Sequence, residues 1–261
     1  MVFDSHCHTA FSTDSRMTLE EAMEAAATKE IGLIITEHMD YDYPQPEAFL
    51  FEPQEYLAAY APYRSEKLLL GVEIGMRAEC KAANQALLAN YAFDQVIGSI
   101  HVVEGMDIYD AAFYKGRSKR DVYCRYFEAM LQCVEEYDFI DALGHIDYIA
   151  RYARYEDTEV YYGEYMDLID AILLVVAGRE TALEINTRRL ESPLRLRQLL
   201  PIYERFAALG GRFVTIGSDA HKPEDVGRWL RKGLAIAEFA GLQPVYYRER
   251  RRYGYDDKVL V

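Results

Sequence analysis

All six histidines of this chain, His6, His8, His38, His101, His145 and His221, lie in short motifs that also carry acids, and each motif follows an apolar, strand-like run. No histidine is left over for ordinary structural duty. With Asp14, Glu73 and Asp219 they make nine candidate metal ligands, enough for a cluster of two or three ions rather than one. Ligands spread from position 6 to position 221 can meet only in a fold that brings the ends of many strands to one place.

Strand-like runs occur near Phe3 and over 33–36, 69–74, 95–100, 141–143, 182–185 and 213–216, with another at 244–247. Helical patterns lie between them. Thr18-Leu19-Glu20-Glu21 is a capping box opening an Ala-rich helix expected to end at Gly32. Pro53 suits a first helical position, and 80–91, 123–137 and 165–177 carry helical composition or period. Alternating strands and helices imply parallel strands joined by right-handed crossovers. His6, His38, Glu73, His101, His145 and Asp219 each fall at or just after the C-terminal end of a strand, where barrel enzymes assemble their sites. An open doubly wound sheet would collect ligands from fewer strands. The expected fold is therefore α/β, a TIM-like barrel of seven strands rather than eight. With 261 residues and no Pro/Ser/Gly-rich linker, residues 1–261 are expected to form one domain.

A net charge of -14 argues against nucleic acid or an anionic membrane as partner, since both call for clustered Lys and Arg. The run Arg248, Arg250, Arg251, Arg252 is interrupted or followed by Glu249, Asp256 and Asp257 and reads as a solvated terminal face. Divalent ions would add local positive charge inside this acidic exterior, a setting that suits a phosphate. The 22 tyrosines fit amphipathic packing. Met1-Val2-Phe3 runs straight into Asp4, so no secretory signal is expected, and the longest apolar run, 171–177, is too short to span a bilayer. Cys7, Cys80, Cys124 and Cys133 form no C-x-x-C pair, which suits a reducing compartment. A cytoplasmic location is expected.

Each motif has a local alternative. His6-Cys7-His8 in an extended strand sends both imidazoles to one side and Cys7 to the other, toward an apolar core. Asp14, in Ser12-Thr13-Asp14-Ser15, also fits an Asx turn before the capped helix. In Thr36-Glu37-His38-Met39-Asp40, His38 is the ligand candidate, with Glu37 or Asp40 to orient its ring. Glu73, alone in Gly71-Val72-Glu73-Ile74-Gly75, is costly to bury unless it is paired or bound to a cation. His101 and His145 repeat the order of strand end, glycine and histidine, and either could instead be a hydrogen-bonded structural residue. Gly217-Ser218-Asp219-Ala220-His221 offers oxygen and nitrogen ligands two positions apart.

The segments DSHCHTAFSTDS, ITEHMD, GVEIGM, FDQVIGSIH, ALGHIDYIARY, EINTRRL and TIGSDAHKPEDVG, spanning residues 4 to 227, resemble the polymerase and histidinol phosphatase (PHP) superfamily and, within it, the histidinol-phosphate phosphatase branch. The resemblance implies a distorted (β/α)7 barrel with a trinuclear centre. One ion would be held by His6, His8, Glu73 and Asp219, a second by Glu73, His101 and His145, and a third by Asp14, His38 and His221. Asp14, where other relatives carry histidine, favours the branch. The implied activity is hydrolysis of L-histidinol phosphate in histidine biosynthesis, with Glu73, Asp219 and His221 carrying catalysis and a metal-bridging hydroxide attacking phosphorus. Mixed His and carboxylate ligands accept Zn, Mn or Fe. Arg151 and Arg188, each after a strand end, and more weakly Arg117, are candidates to hold a small phosphate monoester, with Arg189 adding a register ambiguity. The alternatives are a phosphoesterase of another small ester, such as a nucleotide or sugar phosphate, or a non-catalytic metal-stabilised domain. A homo-oligomer is compatible with the composition.

Overall fold

The computed structural model describes residues 1–255; Asp256 and Asp257, cited above with the basic run, lie outside the described residues. In chain order the strands are β1 (Phe3–Cys7), β2 (Gly32–Met39), β3 (Leu68–Gly75), β4 (Val96–Ser99), β5 (Val102–Val103), β6 (Met106–Asp107), β7 (Ala142–Leu143), β8 (Ala182–Asn186), β9 (Phe213–Gly217), β10 (Gln243–Arg248) and β11 (Arg251–Gly254). The helices are α1 (Leu19–Thr28), α2 (Pro53–Tyr60), α3 (Lys81–Asn90), α4 (Ala111–Tyr114), α5 (Lys119–Glu136), α6 (Ile149–Tyr152), α7 (Met166–Gly178), α8 (Pro193–Ala208) and α9 (Leu230–Ala240).

One sheet runs β1-β2-β3-β4-β7-β8-β9-β10-β11, with every pair parallel except β10 and β11. The first seven strands of that order are buried along their whole lengths, as parallel strands between a packed interior and a helical layer must be. The seam between β1 and β9 is spanned by a single parallel bridge, Cys7 to Ala220, rather than by a full ladder. Two backbone hydrogen bonds frame it: Asp219 N–H donates to the His6 carbonyl at 2.8 Å, and His8 N–H donates to the Ala220 carbonyl at 2.9 Å. At its start β9 pairs instead with β10 through Phe213 and Val214. The seven-strand barrel is thus drawn together at the end that carries the histidines and splayed at the other by β10, which is the distortion.

The β10–β11 hairpin is tied to that splayed end, and here the reading of the basic run as a solvated face is corrected. Arg250 Nε donates to Asp141 Oδ2 at 2.5 Å, the Arg250 N–H donates to the Asp94 carbonyl, and the Glu249 N–H donates to Asp94 Oδ1. The Arg252 guanidinium covers the Phe213 ring. Only Arg251 of the run is exposed. These arginines hold the hairpin under the barrel because Asp94 and Asp141 sit at the starts of barrel strands.

Thr18 caps α1 in the expected box, accepting from the Glu21 N–H while the Glu21 side chain accepts from the Thr18 N–H. The helix ends at Thr28, not Gly32, because Glu30 takes a left-handed turn at φ 57° and Gly32 already belongs to β2. Buried tyrosines hydrogen-bond main-chain carbonyls through their hydroxyls: Tyr56 to Ile35 at 3.0 Å, Tyr126 to His145 at 3.3 Å and Tyr203 to Glu184 at 2.9 Å. Each ring fills the helix–sheet layer while its hydroxyl satisfies a main-chain carbonyl in β2, in β8 or just past the end of β7. Among the described residues no helix is long and apolar enough to cross a membrane.

Arg250→Ala should lower stability by about 1–3 kcal/mol, since it strips a partner from the buried Asp141 carboxylate. Urea unfolding checks this, and metal content should be unchanged because the hairpin lies at the opposite end of the barrel from the histidines.

Candidate metal centre

The nine candidate ligands meet at the C-terminal end of the barrel around Glu73. Its Oε2 lies 3.0 Å from His38 Nδ1, 3.2 Å from His6 Nε2 and 3.4 Å from His8 Nε2. Its Oε1 lies 2.9 Å from His145 Nε2 and 3.4 Å from His101 Nε2, and accepts from Ser99 Oγ at 2.6 Å. A second acid, Asp219, places Oδ1 3.6 Å from His8 Nε2, 3.5 Å from His221 Nδ1 and 4.0 Å from His6 Nε2. Asp14 closes the outer side, with Oδ2 3.0 Å from His221 Nε2 and Oδ1 3.7 Å from His38 Nε2.

Strand alternation explains how one side chain after another reaches this point. Cys7 turns into the apolar core while His6 and His8 face inward with ring centroids 4.9 Å apart. Gly217 is required by close approach, because a Cβ there would overlap the His6 Cβ and crowd Glu184 Oε1. Asp219 takes a left-handed backbone conformation at φ 54°, which Asp tolerates better than most residues, and this turns its carboxylate back over the barrel mouth.

The residues fit divalent ions on direct grounds. His6 Nε2, His8 Nε2, His38 Nδ1, His101 Nε2 and Glu73 Oε2 are buried without a hydrogen-bond partner, yet all point at one another. Such a set is costly unless cations share its lone pairs. Four overlapping groups place their ligand atoms within 4.8 Å of one another: His6, His8 and Glu73; His38, Glu73 and His101; His6, His145 and Asp219; and His8, His38 and His221. Of the sets implied by resemblance, His6, His8 and Glu73 recur together, while the geometry also groups His145 with His6 and Asp219, and His8 with His38 and His221.

The far sides of the rings are held too. Asp40 Oδ1 meets His101 Nδ1 at 2.8 Å and Ser12 Oγ meets His8 Nδ1 at 3.2 Å. The expectation that Glu37 or Asp40 orients His38 is revised: Asp40 serves His101 and stays 3.7 Å from His38, while Glu37 accepts from Thr9 and Ser12. Sequence reasoning missed Glu184, fully buried on β8, whose Oε1 meets His6 Nδ1 at 2.6 Å. The signal was there, since Ala-Leu-Glu-Ile-Asn is another lone acid in an apolar strand.

Two of the three candidate arginines join the cluster. Arg151 Nη1 lies 2.5 Å from Asp219 Oδ2 and its Nη2 donates to Asn186 Oδ1, while Arg188 Nη1 lies 3.3 Å from Asp219 Oδ1 and 3.1 Å from His221 Nδ1. Arg117 is placed otherwise, paired with Glu104 and stacked over Phe113. Arg189 is taken up by Asp147 at 2.7 Å and Glu159 at 2.8 Å, so Arg188 is the one turned to the site.

Burial works against a charged His6 ring, but the negative charges of Glu73, Glu184 and Asp219 outweigh it and raise its pKa well above the usual imidazole value. His101 is raised in the same way, burial being outweighed by Asp40 and Glu73. Burial would raise Glu73, yet His6, His38 and His101 hold it well below the ordinary carboxylate range. Burial would likewise raise Asp219, which Arg151, His6 and Arg188 hold far down.

A model of the PHP domain matches residues 4–188, and the chain belongs to the PHP domain family. It is 49% identical over 250 residues to a probable histidinol-phosphatase of Clostridium acetobutylicum, covering 96% of this chain and 98% of the relative. It is 32% identical to the histidinol-phosphatase of Lactococcus lactis, covering 91% of each. A crystal structure of a histidinol phosphate phosphatase from Lactococcus lactis, complexed with zinc, L-histidinol and phosphate, superposes with a TM-score of 0.90 at 27% identity, covering 97% of this chain and 98% of that one. These likenesses put the chain in the histidinol-phosphatase branch of the family.

Two outcomes are expected. Gly217→Ala should cut metal content, measured by elemental analysis, because His6 must move. Ligation needs the neutral ring, and the charges around His6 and His101 favour their protonated forms in the metal-free chain, so protons compete with metal and metal should be retained as pH rises and released as it falls. Dialysis across a pH series reads this directly; better retention in acid would contradict it.

Proposed function

We propose that this chain is a phosphoric monoester hydrolase that cleaves L-histidinol phosphate to L-histidinol and phosphate, using two or three divalent ions held by the nine residues around Glu73. The observation that carries the hydrolytic reading is five imidazoles converging on one buried carboxylate, with Arg151 and Arg188 beside it. The substrate is read from the relatives, which are named for it over nearly the whole chain length. Divalent ions in such a site polarise phosphoryl oxygens and lower the pKa of a coordinated water toward neutrality.

The protein's own contribution is positioning. Arg151 is nearly buried and rigidly held by Asp219, Asn186 and the Tyr148 ring, so its guanidinium is a fixed cationic wall. Arg188 is 40% exposed along its side chain and stands at the opening, where it can close on an incoming phosphate. Asp219 lies under these two arginines, 2.5 Å from Arg151 Nη1 and 3.3 Å from Arg188 Nη1, a placement that suits a ligand and an anchor for both. Tyr148 lies against His101 and His145, walling the mouth with apolar surface on the side away from Asp14.

The test is steady-state phosphate release from L-histidinol phosphate, beside nucleotide and sugar phosphates, with metal content quantified. A kcat/KM preference for histidinol phosphate is expected; full metal loading with another preferred ester would replace the substrate and keep the chemistry. Glu73→Ala should abolish turnover and lower metal content. Arg188→Ala should retain metal and raise KM by roughly tenfold, the loss of about 1.4 kcal/mol of phosphate binding.

A further inference from the structure

Strand β8 presents two polar side chains to the barrel interior, Glu184 and Asn186, two positions apart and so on one face. Neither belongs to the candidate ligand set, yet together they touch every member of one ligand group. Glu184 Oε1 meets His6 Nδ1 at 2.6 Å, Glu184 Oε2 accepts from the His145 backbone N–H at 2.6 Å, and Asn186 Nδ2 donates to Asp219 Oδ2 at 3.2 Å. Asn186 Nδ2 also lies 3.3 Å from Glu184 Oε2, linking the two. His6, His145 and Asp219 are one of the groups whose ligand atoms converge.

We infer that Glu184 is a positioning residue for that ion subsite: it fixes the proton of His6 on Nδ1, leaving the Nε2 lone pair for the metal, and it anchors His145 through the main chain. This rests on the metal-centre part of the proposed function and is independent of the substrate. The argument is one of donors and acceptors. A carboxylate offers only acceptors, and Glu184 faces two obligate donors, the His145 N–H and the Asn186 amide, besides His6. His6 therefore meets an acceptor, and its Nδ1 carries the proton. The other ring nitrogen, Nε2, is the one without a hydrogen-bond partner, 3.2 Å from Glu73.

Glu184→Gln has the same shape and the wrong chemistry. With its oxygen turned to the His145 N–H, its amide donates to His6 Nδ1, and the ring proton moves to Nε2, where it blocks ligation. With its oxygen turned to His6, two donors face each other at His145. Either arrangement weakens the subsite. Glu184→Asp removes a methylene but keeps an acceptor-only group, so it separates chemistry from packing.

The experiment is competition titration of metal-free wild type, Glu184→Gln and Glu184→Asp with Zn2+ against a chromophoric chelator, with melting temperatures recorded in excess chelator. One Zn2+ should bind about 10–100-fold more weakly in Glu184→Gln. Glu184→Asp should lie between it and wild type, with a cooperative metal-free melting transition in each variant showing that the loss of affinity is not loss of the fold. Undiminished Zn2+ affinity in Glu184→Gln, or a Gln variant that binds better than the Asp variant, would overturn the inference, the second because packing alone predicts that order. Absence of histidinol phosphate turnover in the wild type would sink the proposed substrate and leave this test standing.

Discussion

The structure depends on a carboxylate that should not be where it is. Glu73 is fully buried in an apolar strand, and burial alone would drive it toward its neutral form; the imidazoles of His6, His38 and His101 reverse that preference. Once the barrel has committed to holding this charge, the imidazoles around it must come from several strand ends, His6 and His8 from one and His38, His101 and His145 from three others. The required convergence is what parallel strands curled until β1 meets the end of β9 supply and a flat sheet does not.

Closure is itself made by the site. The β1–β9 seam has one bridge, between Cys7 and Ala220, and the residues on either side of that bridge are His6, His8, Asp219 and His221. Asp4 reinforces it from below, accepting from Ser218 N–H and Ser218 Oγ and from the Gly227 N–H. The first and last ligand motifs of the chain are therefore brought together by backbone pairing before any cation is considered. At the other end the barrel is splayed by β10 and tied through Arg250 to Asp141. Stability devices and chemistry thus occupy opposite ends of the same strands, as they do in barrels generally.

Much of this was legible in the chain. The strand positions, the capping box at Thr18, the inward pairing of His6 and His8 with Cys7 turned to the core, and the cost of burying Glu73 follow from side-chain period and desolvation, which are local properties. Those readings went astray where a partner distant in sequence decided the matter. Asp40 was expected to serve His38 beside it but serves His101, 61 residues away. Arg117, the weaker phosphate candidate, is paired with Glu104 and lies over Phe113. The basic run at 248–252 looked solvated because its acceptors, Asp94 and Asp141, lie more than a hundred residues earlier.

By itself the sequence determined the kinds of candidate ligand, their placement at strand ends and the class of fold, because the alternation of side chains along a strand and the price of an unpaired buried acid are set within a few residues. Only the tertiary structure decided which ligands are neighbours, that Glu184 backs His6 and His145, and that Arg188 rather than Arg189 faces the cluster. Those choices depend on the register between strands and on the sub-ångström fit behind residues such as Gly217. Register is a relation between distant segments, and no single segment carries it.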